Sequence, residues 1–144
     1  MPAPRPEPSP VFFVDHEALQ RRANREMGRL VAPEVPGMRG SFGRLLGMIP
    51  DDGARQTALA DGMWITKQSL GERLRALEAR GWIEIEPDPD DRRARIVRRT
   101  AEGTRIRALT EVAMQEMERG WADEVGADRY QVFREVLAQL GAAD

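Results

Sequence analysis

A short run of polar side chains near the middle of the chain has the composition of a nucleic-acid contact. Lys67, within this run, is the only lysine among 22 basic residues. Apolar residues at helical spacing follow it, so Lys67 would lie in the first turn of a helix, where the macrodipole opposes a cation. A nearby phosphate or guanine edge would explain that position, and chance placement is the alternative. The candidate contacts of this helix are Thr66, Lys67, Gln68, Ser69 and Arg73.

A second charged cluster lies between two segments that alternate apolar and charged side chains. It comprises Asp88, Asp90, Asp91, Arg92 and Arg93. Pro89 interrupts the aspartates, and the glycine and later glutamate of a calcium-binding loop are missing, so no divalent-ion site is expected. Two interpretations remain. An arginine could reach into a narrow minor groove while an aspartate orients it, or the cluster could form a surface ion pair of little energetic value.

The scarcest residue types exclude most side-chain chemistry. The 144 residues include no cysteine and a single histidine, His16. Cysteine nucleophiles, disulfides, thiolate metal sites and multi-histidine metal sites are therefore excluded. No candidate base or nucleophile accompanies the paired carboxylates. The sequence predicts no enzyme, no cofactor and no metal site.

Length and hydropathy point to one domain outside the membrane. The longest apolar runs, Val11–Val14 and Leu45–Ile49, are far shorter than the roughly 18 residues that span a bilayer, and no signal-peptide segment follows Met1. We therefore expect a soluble, cytoplasmic protein without a membrane partner. The formal net charge of the whole chain is −2, and this overall value argues against a nucleic-acid partner. It does not show how the charges are distributed along the chain.

The first elements are a tail and two helices. Proline at positions 2, 4, 6, 8 and 10 predicts a disordered tail over residues 1–14, with a proline-rich ligand for an aromatic groove as the alternative. Asp15 is expected to cap a first helix that stops near Pro33. A second helix, which ends before the turn residues 50–53, carries Met38, Phe42, Leu45 and Ile49 at helical spacing.

Two helices joined by a very short connection follow. Residues 58–60 lie in a brief helix, and Gly62 is expected to supply the positive φ that turns the chain. Thr66 then caps a longer helix that Gly81 ends, and its buried face carries Leu70, Leu74 and Leu77. Helix, glycine turn and helix form the pattern of a helix-turn-helix.

The hydrophobic period changes from 3.6 to 2 after Gly81. Residues 82–86 predict a half-buried strand, and residues 94–98 predict a second one with Ala94 and Ile96 on the same face. Thr100 is expected to cap a helix of about 20 residues, which Gly126 separates from a last amphipathic helix. The prediction is a mainly α fold of four helices, a small β-hairpin and two further helices.

The charges are unevenly distributed along the chain. Residues 55–107 hold 12 basic and 9 acidic residues, a net charge of +3, whereas the remainder holds 10 basic and 15 acidic residues, a net charge of −5. A basic helix-turn-helix and hairpin between acidic ends is the footprint expected for a polyanion partner, although charged runs often form only a solvated face. The average of −2 conceals this polarity.

Several motifs succeed one another in a specific order. Leu-Glu-Ala-Arg-Gly at residues 77–81 precedes Asp-Pro-Asp-Asp-Arg-Arg at 88–93 and Thr-Ala-Glu-Gly at 100–103, while Leu-Ala at 59–60 and Ile-Thr-Lys-Gln-Ser at 65–69 come before them. In this arrangement the sequence resembles the MarR family of bacterial winged-helix transcription regulators. The resemblance covers residues 45–107 and fits the helix order outside them.

The resemblance implies a homodimer that binds double-stranded DNA. A single domain, residues 15–144, would contain a winged helix-turn-helix lobe at about 38–100 and dimerisation helices at about 15–33 and 101–142. Two lobes would straddle a pseudo-palindromic duplex, with the helix contacts in the major groove and Arg92 or Arg93, beside Asp91, in the minor groove. The full candidate DNA-binding set is Arg55, Thr66, Lys67, Gln68, Ser69, Arg73, Asp91, Arg92, Arg93 and Arg95.

Many family members bind small aromatic acids or drugs between the dimer region and the DNA-binding lobe. Met38, Arg39, Phe42 and Trp121 are the candidate lining residues for a small aromatic or phenolic ligand here. Met38, Phe42 and Trp121 also fit the apolar stripes of their helices, so core packing is the alternative. Sensing by cysteine oxidation or by multi-histidine zinc binding, which the family also uses, is excluded by composition.

The functional prediction is a sequence-specific transcription regulator, a repressor that a small ligand releases. The alternative is a winged-helix module that docks proteins without specific DNA binding. Repression and activation share this architecture, so the direction of regulation stays open. Trp64 has no assigned role. It lies in the turn of the helix-turn-helix, where a smaller residue is expected, and it could pack on the last helix or on a partner.

Overall fold

The computed structural model describes residues 6–142, and within that range it has six helices and one three-stranded antiparallel sheet. The elements are α1 Phe12–Val31, α2 Gly40–Met48, β1 Ala54–Arg55, α3 Gln56–Met63, α4 Lys67–Ala79, β2 Ile83–Pro87, β3 Arg95–Arg99, α5 Ala101–Val125 and α6 Ala127–Gly141. The predicted mainly α fold with a β-hairpin after the fourth helix is confirmed. Hereafter the helix-turn-helix is α3 with α4, and the wing is the hairpin of residues 83–99. No helix in the described range is long and apolar enough to cross a membrane.

Helix α1 begins before its predicted cap. Its first residue is Phe12, and Val11 at the N-cap provides no side-chain hydrogen bond. Asp15 lies in the first turn, where its Oδ2 accepts a hydrogen bond from the backbone N–H of Ser9 at 2.8 Å. Asp15 therefore ties the preceding segment to the helix, and the predicted tail boundary at residue 14 is wrong by the helical residues 12–14. The first five residues of that tail lie outside the described range.

The helix-turn-helix forms as predicted except at its turn. The cap at Thr66 is confirmed, and Leu70, Leu74 and Leu77 are buried. Gly62, in contrast, lies within α3, and the left-handed residue is Trp64, with φ 55° and ψ 40°. Helix α3 continues past the glycine to Met63, which is buried, and the turn therefore follows two residues later than predicted.

The sheet contains a strand that the sequence pattern does not reveal. Strand β3 lies in the middle and pairs with β2 on one side and with the two-residue β1 on the other. Val97 is paired with both Ile85 and Ala54 and is fully buried, whereas Ile96 is only half-buried. Ala94 and Ile96, predicted on one face, are both half-buried, and the fully buried residue is the adjacent Val97. A two-residue strand is too short to show a hydrophobic period.

Helix α5 is joined to the sheet by a close backbone contact. The hydroxyl of Thr100 accepts the N–H of Gly103 at 3.0 Å, which confirms the predicted cap, and donates to the carbonyl of Gly81 at 2.6 Å. A Cβ on Gly103 would lie 1.8 Å from the carbonyl oxygen of Trp82, so only glycine allows this approach. The helix has 25 residues, more than predicted, and Gly126 with φ 94° separates it from α6.

The hydrophobic core fills the space between α2, the helix-turn-helix, the sheet and the first half of α5. Its fully buried side chains are Leu45, Leu46, Ile49, Leu70, Leu74, Leu77, Ile83, Val97 and Ile106. Helix α6 contributes no buried residue. The core therefore fixes α4 and the wing relative to each other, and α6 lies outside it.

Candidate nucleic-acid interface

The first turn of α4 presents the polar side chains that the sequence predicts. Thr66 Oγ1 accepts the backbone N–H of Ser69 at 3.1 Å, which fixes how the helix begins. Thr66, Lys67 and Gln68 are exposed, whereas Ser69 and Arg73 are half-buried. Within the described range, Lys67 and Arg73 make no ion pair. Their charges remain available to an external anion.

The tip of the wing, residues 88–94, is shaped by hydrogen bonds to its backbone. The N–H of Asp88 donates to the carbonyl of Ala94 at 3.0 Å, and the N–H of Ala94 donates to the carbonyl of Asp91 at 2.9 Å. The Asp91 carboxylate accepts the backbone N–H of Arg93 at 3.0 Å. Asp91 thus orients the backbone of the tip, and the bidentate pair with an arginine side chain that the sequence suggested is not formed. Arg92 and Arg93 are exposed.

Asp88 holds the base of this tip and was not among the predicted site residues. Its side chain is buried, and one carboxylate oxygen accepts the backbone N–H of Asp90 at 2.9 Å. The other oxygen lies 2.6 Å from Nη2 of Arg55, at the end of β1. The Asp90 N–H and then the Arg55 guanidinium hold the pKa of Asp88 below its ordinary value, against the effect of burial.

Arg55 is consequently a bridge between the start of α3 and the wing. The sequence placed it among the DNA contacts, yet its guanidinium is already paired and half exposed. No sequence signal joins it to Asp88, because the two residues lie 33 positions apart and β1 is too short to predict. Its position links α3, the helix that precedes α4, to the wing.

The structure divides the 12 basic residues of the segment 55–107 into two groups. Five form ion pairs with carboxylates: Arg55, Arg98, Arg99, Arg105 and Arg107. Arg80 lies over the rings of Phe42 and Trp82 and donates to backbone carbonyls. The other six make no ion pair with a described residue, and all belong to α4 or the wing: Lys67, Arg73, Arg75, Arg92, Arg93 and Arg95. We call these the six unpaired cations.

Three of the four predicted ligand residues lie together around the start of α2. Met38 and Arg39 precede the helix instead of lying on it, and Arg39 is its N-cap. Phe42 is 4% exposed and packs edge-to-face on Trp82, with ring centroids 6.4 Å apart. The guanidinium groups of Arg39 and Arg80 lie 5.7 and 5.5 Å from its ring centre. Phe42 is therefore a core side chain covered by arginines.

Trp121 belongs to a different cluster, between α1 and α5. Its Nε1 donates to Glu26 at 2.7 Å, and Arg22 donates to Glu26 at 2.7 Å and to Glu124 at 3.0 Å. Arg22 lowers the pKa of both glutamates, and the indole N–H adds to this effect at Glu26. A cavity of about 290 Å³ opens beside the cluster, lined by Leu19, Arg22, Trp121, Glu124, Val125, Arg129, Tyr130 and Phe133.

The two groups of predicted ligand residues are far apart. Gly43, next to Phe42, faces α5 so closely that a Cβ there would lie 2.7 Å from Thr110 Cγ2. Trp121 is 11 residues further along the same helix, which corresponds to about 16 Å. Within one chain, the four residues therefore do not line a common pocket.

Large apolar side chains are exposed on the last helix and at the start of the first one. Helix α6 exposes Val132, Phe133, Val136, Leu137 and Leu140, and the start of α1 exposes Val11, Phe12, Phe13 and Val14. The α6 residues recur at helical spacing, so they form one stripe. We call this the α6 stripe. An amphipathic helix whose apolar stripe faces solvent is typical of an interaction surface.

Comparison with known proteins gives consistent similarities. The pattern of the MarR family matches residues 43–94, from α2 to the tip of the wing. The transcriptional regulator HosA of Escherichia coli O111:H- is 27% identical over 129 residues, which cover 90% of this chain and 88% of HosA.

Two solved structures show the same fold. A crystal structure of MarR superimposes with a TM-score of 0.83 at 23% identity, covering 96% of this chain and 93% of that one. The transcriptional repressor CouR, bound to a 23-mer DNA duplex, superimposes with a TM-score of 0.75 at 25% identity, covering 91% of this chain and 92% of CouR.

Proposed function

Since this chain belongs to the MarR family of transcription regulators, we propose that it acts as a repressor that binds a pseudo-palindromic DNA operator as a homodimer. The observation that carries the proposal concerns residues 55–107: within this segment, the six unpaired cations all lie on α4 or the wing. DNA phosphates are the partner that such cations fit best, and the polar groups at the start of α4 can contact base edges. The protein would act in the bacterial cytoplasm, where its operator lies.

The proposed DNA-binding set consists of the predicted contacts that remain free for DNA in this structure. They lie on α4, the proposed recognition helix, or at its N-cap (Thr66, Lys67, Gln68, Ser69 and Arg73), and on the wing (Arg92, Arg93 and Arg95). Arg55 and Asp91 are reassigned to positioning, because Arg55 pairs with Asp88 and Asp91 accepts a backbone N–H.

The α6 stripe supports the homodimer. Five large apolar side chains of α6 lack cover within one chain, and a second copy can cover them through a self-complementary contact about a two-fold axis. Two lobes so joined would contact half-sites about one helical turn apart, roughly 34 Å. A pseudo-palindromic operator follows from that symmetry.

For the effector, we propose a small aromatic acid bound in the cavity beside Trp121. Tyr130, Phe133 and Trp121 supply aromatic surface. Arg129, which makes no ion pair with a described residue, supplies a cation for a carboxylate, whereas Arg22 is already paired with Glu26 and Glu124. A volume of about 290 Å³ suits a single ring with few substituents. Met38, Arg39 and Phe42 are left out of this pocket because they lie in a separate, packed cluster.

The DNA proposal is tested by selecting fragments from a random library and measuring affinity between about 50 and 200 mM salt. The slope of log K against log salt should be steep, and Lys67→Ala or Arg93→Ala should each flatten it by about 0.9 per lost phosphate contact. Arg25→Ala, which removes an exposed cation from α1, is the matched control and should leave the slope unchanged. A protein that selects no fragment would instead be an interaction module.

The effector proposal is tested with benzoate, phenol and the non-aromatic cyclohexanecarboxylate. Benzoate should release the selected duplex at lower concentration than either comparison molecule, because only benzoate carries both an aromatic ring and a carboxylate. Arg129→Ala should weaken this release without weakening DNA binding. Equal effects of all three molecules would contradict the assigned pocket.

A further inference from the structure

Trp64 is the most exposed large apolar side chain of the described residues. It is 92% exposed, and the 12 other large apolar side chains that are exposed in this range lie at residues 11–14 or 112–140. Those 12 lie on α1, α5 and α6 or next to them, where a second copy would cover many of them. Trp64 stands alone in the DNA-binding lobe, so dimerisation through the α6 stripe does not explain it.

The backbone at Trp64 is better suited to glycine. The N–H of Trp64 donates to the carbonyl of Asp61 at 3.2 Å, and the N–H of Ile65 donates to the carbonyl of Ala60 at 3.3 Å. These two bonds define the motif that closes a helix through a left-handed residue, a position that glycine normally fills because a side chain is strained there. Ile65, the next residue, packs against the core. The turn itself thus holds Trp64 outside the core.

The indole makes no packing contribution that would compensate for this strain. Among the described residues, no aromatic ring or guanidinium group is stacked on Trp64. It does not pack on the last helix, which was one of the two roles open from the sequence. A strained, exposed side chain that the fold does not use points to a contact outside the chain.

The position of Trp64 along the chain identifies that contact. Its Cα is two residues from Thr66, at most about 7.6 Å away, and three from Lys67. If the first turn of α4 enters the major groove, the indole must lie at the edge of the groove. The DNA backbone there offers apolar sugar faces and phosphate acceptors, and an indole ring with one N–H matches both.

We propose that Trp64 is a DNA-contacting side chain that packs its indole ring on the sugar-phosphate backbone beside the groove entered by α4. This inference rests on the proposed function, since it requires that α4 meets DNA. The contact contributes apolar surface and one hydrogen bond but no charge. Its thermodynamic signature therefore differs from that of Lys67.

The first test compares Trp64→Gly, Trp64→Phe and Lys67→Ala with the parent, using the duplex that the parent selects. Trp64→Gly is expected to weaken binding about tenfold with the salt slope unchanged, because the uncharged indole neutralises no phosphate and so releases no counterion. Lys67→Ala should weaken binding and also flatten the slope. Trp64→Phe should retain part of the affinity, because it keeps a ring but loses the N–H.

A stability control separates the loss of a DNA contact from a loss of folded structure. The thermal midpoint of unfolding of Trp64→Gly should equal or exceed that of the parent, because glycine relieves the left-handed backbone.

The second test observes the indole itself. Protein labelled with 5-fluorotryptophan contains three fluorinated residues, and Trp64→Phe identifies the signal of Trp64. Saturating duplex should shift this signal and protect it from a soluble paramagnetic quencher, while the buried Trp82 stays unaffected. If the parent binds the duplex, yet Trp64 stays unprotected and Trp64→Gly binds within twofold of the parent, the inference is overturned and the ring faces a protein partner. If the parent selects no duplex, the proposed function itself fails.

Discussion

Arg93 and Arg99 lie six positions apart in the wing and have opposite surroundings. Arg93 is exposed and makes no ion pair with a described residue, whereas the side chain of Arg99 is 2% exposed, pairs with Asp51 and donates to the carbonyl of Leu46 at 3.2 Å. In a count of charged residues, Arg93 and Arg99 are equivalent, and both would be taken as basic charge available to a polyanion. The difference depends on residues about 50 positions away, which a local pattern does not include.

These surroundings predict opposite effects for the same substitution. Arg93→Ala should weaken DNA binding and leave the free energy of unfolding unchanged within about 0.5 kcal/mol, as expected for an exposed site. Arg99→Ala should lower the free energy of unfolding by about 2 kcal/mol, because it removes buried, charge-assisted hydrogen bonds. Urea unfolding and DNA titration of both variants measure the contrast. Similar destabilisation by both substitutions would contradict the division of the basic residues.

Asp88 gives a prediction that depends on pH. Folding lowers its pKa, so the charged carboxylate stabilises the folded protein above its unfolded-state pKa of about 4, and this contribution is lost as pH falls through the lower folded-state value. Asp88→Asn should therefore be less stable than the parent at pH 7 and approach it as the pH falls below about 4. Thermal unfolding at several pH values measures the difference. Asp90→Asn removes an exposed carboxylate nearby and should show no such convergence.

At the scale of elements, two helix N-termini were predictable because a side chain caps each of them locally. The pairing of the strands was not predictable. Thr66 and Thr100 each cap a helix through the N–H three residues later, and both caps are visible in the sequence. The position of the turn was not predicted, because glycine is the usual left-handed residue at a helix end, whereas here Trp64 adopts that conformation after the buried Met63. Strand β1 exists because Ala54 meets Val97, a contact that spans 43 residues. Of the candidate site, the sequence predicted the exposed residues of α4 and the wing tip, but not the Arg55–Asp88 bridge beneath them.

The junction of the sheet with α5 is tested by glycine substitutions in one helix. Gly103→Ala should destabilise the protein by on the order of 3 kcal/mol, because the added methyl group would overlap the Trp82 carbonyl. Gly120→Ala is the matched control, since its Cβ would meet nothing within 4 Å, and it should stabilise the helix by about 1 kcal/mol. Chemical unfolding of both variants checks the pair. Equal changes in the free energy of unfolding would show that the backbone near Gly103 shifts to make room for the added methyl group.

At the scale of the whole molecule, the α6 stripe predicts that assembly and DNA affinity are coupled. Leu137→Glu places a charge in the stripe and should convert the dimer to a monomer, with loss of affinity for the two-half-site duplex. Gln139→Glu adds the same carboxylate two residues on, on another face of the helix, and should change neither property. Light scattering and DNA titration measure both. A Leu137→Glu protein that stays dimeric would place the dimer contact elsewhere.

The separation of charge described for this chain also affects how fast it finds DNA. Residues 55–107 carry a net +3 and the rest a net −5, so each protomer is an electric dipole whose positive end holds the recognition helix and the wing. In the field of a duplex, such a molecule turns during its approach, and a larger share of encounters begins in a productive orientation. In the proposed complex, the acidic remainder would be repelled by the duplex, so that approaches with α4 and the wing facing DNA would be favoured. We expect this negative charge to act on the orientation of the approach, and the cations of α4 and the wing to act on the strength of the final complex.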